Sequence, residues 1–245
     1  MKRENRDVLY IVIPAYNEEE TIRKVIGDWY PVVERHNGEG RSRLVVIDDG
    51  SRDRTCEIML EEAEKRPLLV PVTKENSGHG ATVLHGYRYA LRHGADFIFQ
   101  TDSDGQTLPA EFERFWNLRN DYDCVMGWRK RRQDGFSRVC VSAVLRLVIR
   151  LFFRVRVTDP NVPYRLMKAS VLEKYLDLVP EDYFLSNVLI SVIFTVYRRK
   201  MKSIPITFRP RQGGVNSINI PRILRIGLRA FCEFPRLNRR IRERL

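Results

Sequence analysis

Four short, uninterrupted apolar runs, each ending in a polar cluster, punctuate about the first 110 residues of the chain. Val8 to Ile13 leads into Pro14-Ala15-Tyr16-Asn17-Glu18, and Leu44 to Ile47 into Asp48-Asp49-Gly50-Ser51. Leu68 to Val72 leads into Asn76-Ser77-Gly78-His79-Gly80, and Phe97 to Gln100 into Asp102-Ser103-Asp104. Runs this continuous and this rich in Val, Ile and Leu predict parallel strands covered on both faces. Between them lie stretches long enough for one helix each, roughly 19–36, 53–66 and 80–93. The pattern is βαβαβαβ, an α/β fold that puts every polar cluster on one edge of a mostly parallel sheet, where open sheets bind ligands.

At that edge Asp102 and Asp104 stand two residues apart behind a buried strand. Carboxylates so placed can hold a divalent cation, and the cation can hold a diphosphate. Gly78 and Gly80 remove side chains where the backbone bends or approaches a ligand, although Gly80 also reads as a flexible link between strand and helix. His79 reads either as a ligand contact or as a solvated loop residue. Asp49 reads as a brace for the Gly50-Ser51 turn, ahead of a helix whose start is signalled by Asp53.

Composition narrows the class. A chain of 245 residues with 43% apolar content buries one substantial core, so one domain with appendages is expected. Met1 to Asp7 carries no signal-peptide core, which predicts a cytoplasmic protein. Cys56, Cys124, Cys140 and Cys232 are scattered, without metal-ligand spacing, and read as reduced, partly buried thiols. The formal charge of +12 is concentrated late, in Arg129 to Arg132, Arg198 to Lys200 and Arg236 to Arg244. Such asymmetry calls for a polyanionic partner: anionic lipid, a phosphorylated substrate or nucleic acid. Nucleic acid is not expected, because no aromatic-basic recognition motif appears and charge alone leaves the four polar clusters unexplained.

Two late segments are amphipathic. Val139 to Val157 is apolar but crossed by Arg146, Arg150 and Arg154 at intervals of four, a stripe prohibitive for a lone membrane span and suited to a helix at a surface. Pro221 to Leu245 repeats the theme. The part before Pro235 reads equally well as a helix with its apolar side packed inward.

The ordered set from Ile13 to Glu18, Asp48 to Thr55, Asn76 to Ala81 and Asp102-Ser103-Asp104 resembles the family 2 inverting glycosyltransferases. The resemblance implies the GT-A nucleotide-diphosphosugar-binding fold. Further along, Gly127-Trp128-Arg129, Ser137-Arg138, Ser142, Asp159 to Arg165 and Ile204 to Phe208 look like the dolichyl-phosphate mannose synthases and their bacterial polyprenyl-phosphate relatives. The sequence departs from that branch in the short loop after Arg129 and in Val162-Pro163-Tyr164-Arg165, where Ser-Gly-Phe-Arg is usual. The division implied is a GT-A domain over 1–217, with a donor half 1–110 and an acceptor half 111–217, followed by a basic amphipathic segment 218–245.

On this resemblance Pro14, Tyr16, Glu18 and Asp48 form the base and ribose pocket, with Gly78 and Arg209 also on the donor. Carboxylates suit that pocket, since they accept from a base N–H or ribose hydroxyls and lie away from the phosphates they would repel. Asp104 is the direct ligand of Mg2+ or Mn2+, Asp102 shares the metal or contacts the ribose, and Gln106 completes the shell. Arg129, Arg138 and Ser142 bind the acceptor phosphate, for which guanidinium geometry is well matched. A phosphate acceptor is already ionised and needs no general base; a sugar hydroxyl needs one, and Asp182 in Glu181-Asp182 is then the candidate. The same pair also reads as the N-terminal cap of a helix over about 183–197. Arg209 and Arg211, before Gly213-Gly214, read as a basic loop able to close over the substrates. The expected protein is a metal-dependent transferase acting peripherally on the cytoplasmic face of an anionic membrane, with a nucleotide-diphosphosugar donor, a lipid-phosphate acceptor and a possible separate membrane-anchoring protein as partners.

Overall fold

The apolar runs fold as strands because their two-sided hydrophobicity leaves no wet face, and the helices between them cover both sides. The computed structural model describes residues 6–129, 135–210 and 220–245; in the helices that begin at 135 and 220, side chains are described from 142 and 227 onward. In the first half β1 (Leu9–Ala15), β2 (Arg43–Asp48), β3 (Leu69–Thr73) and β4 (Phe97–Gln100) alternate with α1 (Ile22–Arg35), α2 (Thr55–Lys65) and α3 (His79–Arg92). β1 and β2 run on into their polar clusters, so that Asp48 is the last residue of its strand, in register with Ala15 and Thr73.

The second half adds α4 (Phe112–Trp116), β5 (Cys124–Arg129), α5 (Gly135–Phe153), β6 (Arg165–Lys168), α6 (Ala169–Leu176), α7 (Ser186–Val196), β7 (Met201–Ile206) and α8 (Ile220–Arg242). The seven strands form one sheet in the order β3-β2-β1-β4-β6-β5-β7. Only β6 is antiparallel, wedged between β4 and β5. The strands of the first half, β1 to β4, are therefore joined to β5 and β7 through β6. Aromatic packing reinforces the seam: Tyr164, just before β6, lies 4.7 Å from both Phe99 and Phe115, and its hydroxyl donates to Leu108 O at 2.9 Å.

The C-terminal segment packs on the domain through both sides of Pro235. Ala230, Phe234, Leu237 and Ile241 recur at helical spacing and are buried. Phe234 meets Phe153 at 5.0 Å between ring centroids, and the Tyr197 hydroxyl donates to Ile241 O at 2.7 Å. α5 starts and stops earlier than its apolar pattern predicts. Arg154, at φ 58°, breaks the helix just past Phe153 and so leaves the stripe formed by the exposed Arg146 and Arg150. The paired α5 and α8 leave Val144, Leu147, Leu151, Leu228 and Phe231 exposed. No described helix is long and apolar enough to cross a membrane. Of the thiols among the described side chains, Cys124 is buried, Cys56 half-buried and Cys232 exposed rather than partly buried, and Cys140 lies outside them.

Gly80 is no flexible link. A Cβ there would stand 2.2 Å from Tyr183 O and 2.7 Å from Phe184 O, so α3 and the chain leading into α7 meet backbone to backbone. Gly27, inside α1, has nothing within 4 Å of the same position. Gly80→Ala is therefore expected to lower the unfolding free energy by about 1–3 kcal/mol in denaturant titration, while Gly27→Ala raises it by about 0.5–1 kcal/mol.

Candidate active site

The C-terminal edge of β1, β2 and β4 gathers four aspartates, and backbone N–H groups organise most of them. Asp48, 1% exposed, accepts from Ser51 N at 3.1 Å and so holds the Gly50-Ser51 turn. Asp49 does different work from that expected of it. Its carboxylate accepts from Ser77 N and Gly78 N, each at 2.9 Å, and pairs with the Lys74 ammonium. Its carbonyl accepts from the Asn76 amide at 2.9 Å. Asp49 is thus the fixed point about which the β3–α3 loop folds, and Gly78, at φ 88°, makes the bend that brings its N–H inward.

The turn after β1 is held to the start of α2. Asn17, at φ 53°, donates its N–H to the Ser51 hydroxyl at 2.9 Å and accepts Arg52 N at 2.9 Å. Asp53 accepts from Thr55 N at 3.0 Å, the Thr55 hydroxyl at 2.6 Å and Glu19 N at 3.1 Å. Burial raises the Asp53 pKa, but these donors outweigh it and hold the carboxyl below the usual range. Glu18 is buried and Tyr16 exposed. The Thr21 hydroxyl, 2.8 Å from Glu18 Oε2 and 3.1 Å from Ser103 O, ties this turn to the loop after β4.

In that loop Asp102 and Asp104 are half-buried. His79 reaches Asp102 Oδ1 with its Nε2 at 3.1 Å, so the residue read as a solvated alternative faces the carboxylates. Desolvation lowers the His79 pKa, but the side chain is half exposed, and the charges of Asp102, Asp104 and Asp49 leave the imidazole more basic than usual. Asp104 accepts from Gln106 N at 3.1 Å. Gln106 donates its Nε2 to Arg209 O at 2.7 Å and accepts Arg209 N on its own carbonyl at 2.9 Å. One oxygen of the Gln106 amide is thus the atom with which it can meet a ligand. The two-way link also pins the backbone of Arg209, whose side chain is exposed, beside the aspartates. Arg211 and Gly213-Gly214 lie outside the described residues.

Across the β6 seam, Arg129 makes a bidentate pair with Asp159: Nε to Oδ2 and Nη2 to Oδ1, both at 2.8 Å. Its guanidinium also lies 5.2 Å from the centre of the Phe208 ring. Sequence reasoning assigns Asp159 no role; its one local signal is an acidic residue immediately before a proline, and its partner Arg129 lies 30 residues away. Arg165 is completely buried and donates to Val162 O, Pro160 O, Asn187 O and the Ser191 hydroxyl at 2.8–3.3 Å. It knits the loop that carries Asp159 to β6 and α7. Ser142 is half-buried on α5, while the Arg138 side chain lies outside the described residues.

Asp182 does not join the four aspartates. It is exposed and lines a cavity beneath α8 with Arg229 and Tyr183. Nor does it cap α7, whose N-cap is Leu185, with no side-chain cap bond. Glu181 instead reaches back toward Arg88 of α3 at 3.7 Å.

This arrangement has known counterparts. Glycosyl transferase family 2 matches the chain over residues 10–176. Polyprenol monophosphomannose synthase of Mycolicibacterium smegmatis is 28% identical over 219 residues, covering 85% of this chain and 80% of that protein. Undecaprenyl-phosphate 4-deoxy-4-formamido-L-arabinose transferase of Edwardsiella ictaluri is 24% identical over 221 residues, covering 88% of this chain and 64% of the longer relative. Among solved structures, glucosyl-3-phosphoglycerate synthase of Mycobacterium tuberculosis, in complex with Mn2+, UDP and phosphoglyceric acid, superposes with a TM-score of 0.68 at 17% identity, covering 96% of this chain and 78% of that one. Mannosyl-3-phosphoglycerate synthase of Rubrobacter xylanophilus gives a TM-score of 0.69 at 16% identity, covering 98% and 77%. More than half of the chain is matched by the family and its own mostly parallel seven-stranded sheet superposes on these neighbours, so the chain belongs to glycosyl transferase family 2 and is a glycosyltransferase of the GT-A fold.

Proposed function

We propose that the protein transfers a sugar from a nucleotide-diphosphosugar to a polyprenyl phosphate, with inversion, at the cytoplasmic surface of a membrane. The observation that carries this reading is the pairing, on one sheet edge, of an acidic half fit for a metal-bound diphosphate with a basic half fit for a second phosphate. Pro14, Tyr16, Glu18 and Asp48 form the nucleoside side of the donor pocket, with Gly78 at its border. Asp104 and Asp102 hold the diphosphate end, and Arg209 reaches it from the far side.

The donor set suits Mg2+ or Mn2+. Among the described residues no three His, Cys, Asp or Glu side chains converge as a metal cage. Two carboxylates, with the Gln106 oxygen, leave room for the diphosphate oxygens and water that these hard cations prefer to keep. The ion, when bound, neutralises charge that grows on the leaving diphosphate. Arg129, oriented by Asp159, and Arg138 and Ser142 on α5 receive the acceptor phosphate and offset its repulsion from the donor. An ionised phosphate attacks without a base, so the placement of Asp182 away from the aspartates agrees with a phosphate acceptor. The relatives named for polyprenol and undecaprenyl phosphate support the same choice. The exposed apolar residues of α5 and α8, flanked by arginines, support work at a lipid surface.

Three outcomes check this. In a labelled-sugar assay with Mg2+ or Mn2+ and polyprenyl phosphate in mixed micelles, Asp104→Ala is expected to lower transfer by at least about 10²-fold. Asp182→Asn is expected to keep most of the wild-type rate; its inactivity, together with an active Arg138→Ala, would move the acceptor to a hydroxyl. Asp159→Asn, which removes the charge that orients Arg129, is expected to raise the acceptor KM about tenfold and leave the donor KM unchanged. An unchanged acceptor KM would confine that pair to a structural role.

A further inference from the structure

The cavity beneath α8 has chemistry that the donor and acceptor edge does not use. It encloses about 380 Å³ between the chain at 180–183 and the helix. Arg229, Glu233, Arg236 and Arg240 line it at i, i+4, i+7 and i+11, one continuous stripe beside the buried Ala230-Phe234-Leu237-Ile241 stripe. One helix thus docks with one face and offers an ionic face to an adjoining space.

Its basic groups are not used up by the protein. Arg229 gives Nε to Glu233 at 2.8 Å and stacks over Phe184 at 4.4 Å, which neutralises the Glu233 charge and leaves its terminal nitrogens available. Arg240 spends Nη2 on Asp177 O at 2.6 Å and keeps its other N–H groups. Arg236 is exposed.

The wall of the cavity holds a second signal. Tyr183 is 2% exposed and its hydroxyl has no hydrogen-bond partner. Burial raises its pKa, and the nearby Glu233 raises it further while Arg229 opposes, so the hydroxyl stays protonated as a donor beside these charges. A buried hydroxyl without a partner costs about 1–3 kcal/mol, and a ligand oxygen would relieve that cost. The lining also holds the Asp182 and Glu233 carboxylates, so three guanidiniums face two carboxylates and the space keeps a net positive charge, which with an O–H donor in its wall favours a tetrahedral oxyanion over a neutral ligand.

We propose that the α8 cavity is a phosphate-binding site, separate from the donor and acceptor positions, formed by Arg236 and Arg240 with Arg229 and the Tyr183 hydroxyl. The phosphate is either that of an anionic lipid headgroup or that of a soluble phosphate ester. The exposed Leu228 and Phe231 lie on the same helix and supply the apolar contact that binding at a lipid surface would use.

The test uses the full chain in EDTA, so that no divalent cation links phosphate to Asp102 and Asp104. Thermal unfolding is followed with inorganic phosphate as probe, and flotation with phosphatidylcholine vesicles with and without phosphatidylglycerol. Phosphate is expected to raise the midpoint of the wild type and of Arg209→Ala, and the Arg236→Ala/Arg240→Ala variant to need at least tenfold more phosphate for the same rise. Tyr183→Phe provides the readout that a purely structural role would not move. It is expected to be at least as stable as wild type without phosphate, since an unsatisfied hydroxyl is gone, yet several-fold less responsive to phosphate. Loss of phosphatidylglycerol-dependent flotation in the double variant assigns the site to a lipid headgroup; unchanged flotation with a lost phosphate response assigns it to a soluble ester. Equal phosphate responses in wild type, the double variant and Tyr183→Phe overturn the proposal.

Discussion

The crowding of Asp48, Asp49, Asp102 and Asp104 at one sheet edge is the constraint on which the rest of this structure depends. Like charges a few ångströms apart repel by about 1–4 kcal/mol per pair near a protein surface, so the fold must supply compensation before it can offer any of them to a ligand. Asp49 is neutralised by Lys74 and by two backbone N–H groups, and Asp48 accepts the N–H of Ser51. His79 faces Asp102, and the Gln106 N–H meets Asp104. Asp49 thereby becomes architecture, while Asp102 and Asp104 are held in place at the mouth of the edge. On the proposed function, a diphosphate with its cation would extend this compensation outward, and an acidic edge could then serve an anionic donor.

The second constraint is the antiparallel β6. A parallel sheet ended at β4 would leave the aspartates facing solvent on one side. Reversing the chain through β6 brings Arg165 opposite Gln100 and carries the Asp159 loop back over the edge. Arg165 then fixes that loop from below through neutral carbonyls and a hydroxyl, and Asp159 in turn fixes Arg129. Basic chemistry reaches the acidic edge through this relay of hydrogen bonds, and the backbone of Arg209 is tied to the edge through Gln106.

What the sequence made legible followed from local rules. Continuous apolar runs gave β1 to β4 within a residue or two, and the polar clusters behind them landed on one edge because consecutive parallel strands share a direction. The order of the motifs gave the family. What stayed hidden depended on contacts between distant segments. Asp49 looked like a turn brace because Gly50-Ser51 is its neighbour, yet its partners lie 25 to 29 residues away. Gly80 looked like a hinge because no local pattern reveals the backbone of Tyr183. Glu181-Asp182 looked like a helix cap, but the helix begins at Ser186, after the chain has turned toward α8. The inward face of α8 was only half legible, since its apolar spacing serves packing as well as it serves a membrane.

On the proposed function, Asp102 and Asp104 form the place where a cation and a nucleotide diphosphate meet. Anomalous diffraction from crystals grown with Mn2+ and UDP tests it most directly. One strong manganese peak is expected within coordination distance of Asp104, with the uracil toward Asp48 and the diphosphate toward Arg209. A diphosphate bound elsewhere, or a manganese peak away from both aspartates, would contradict it.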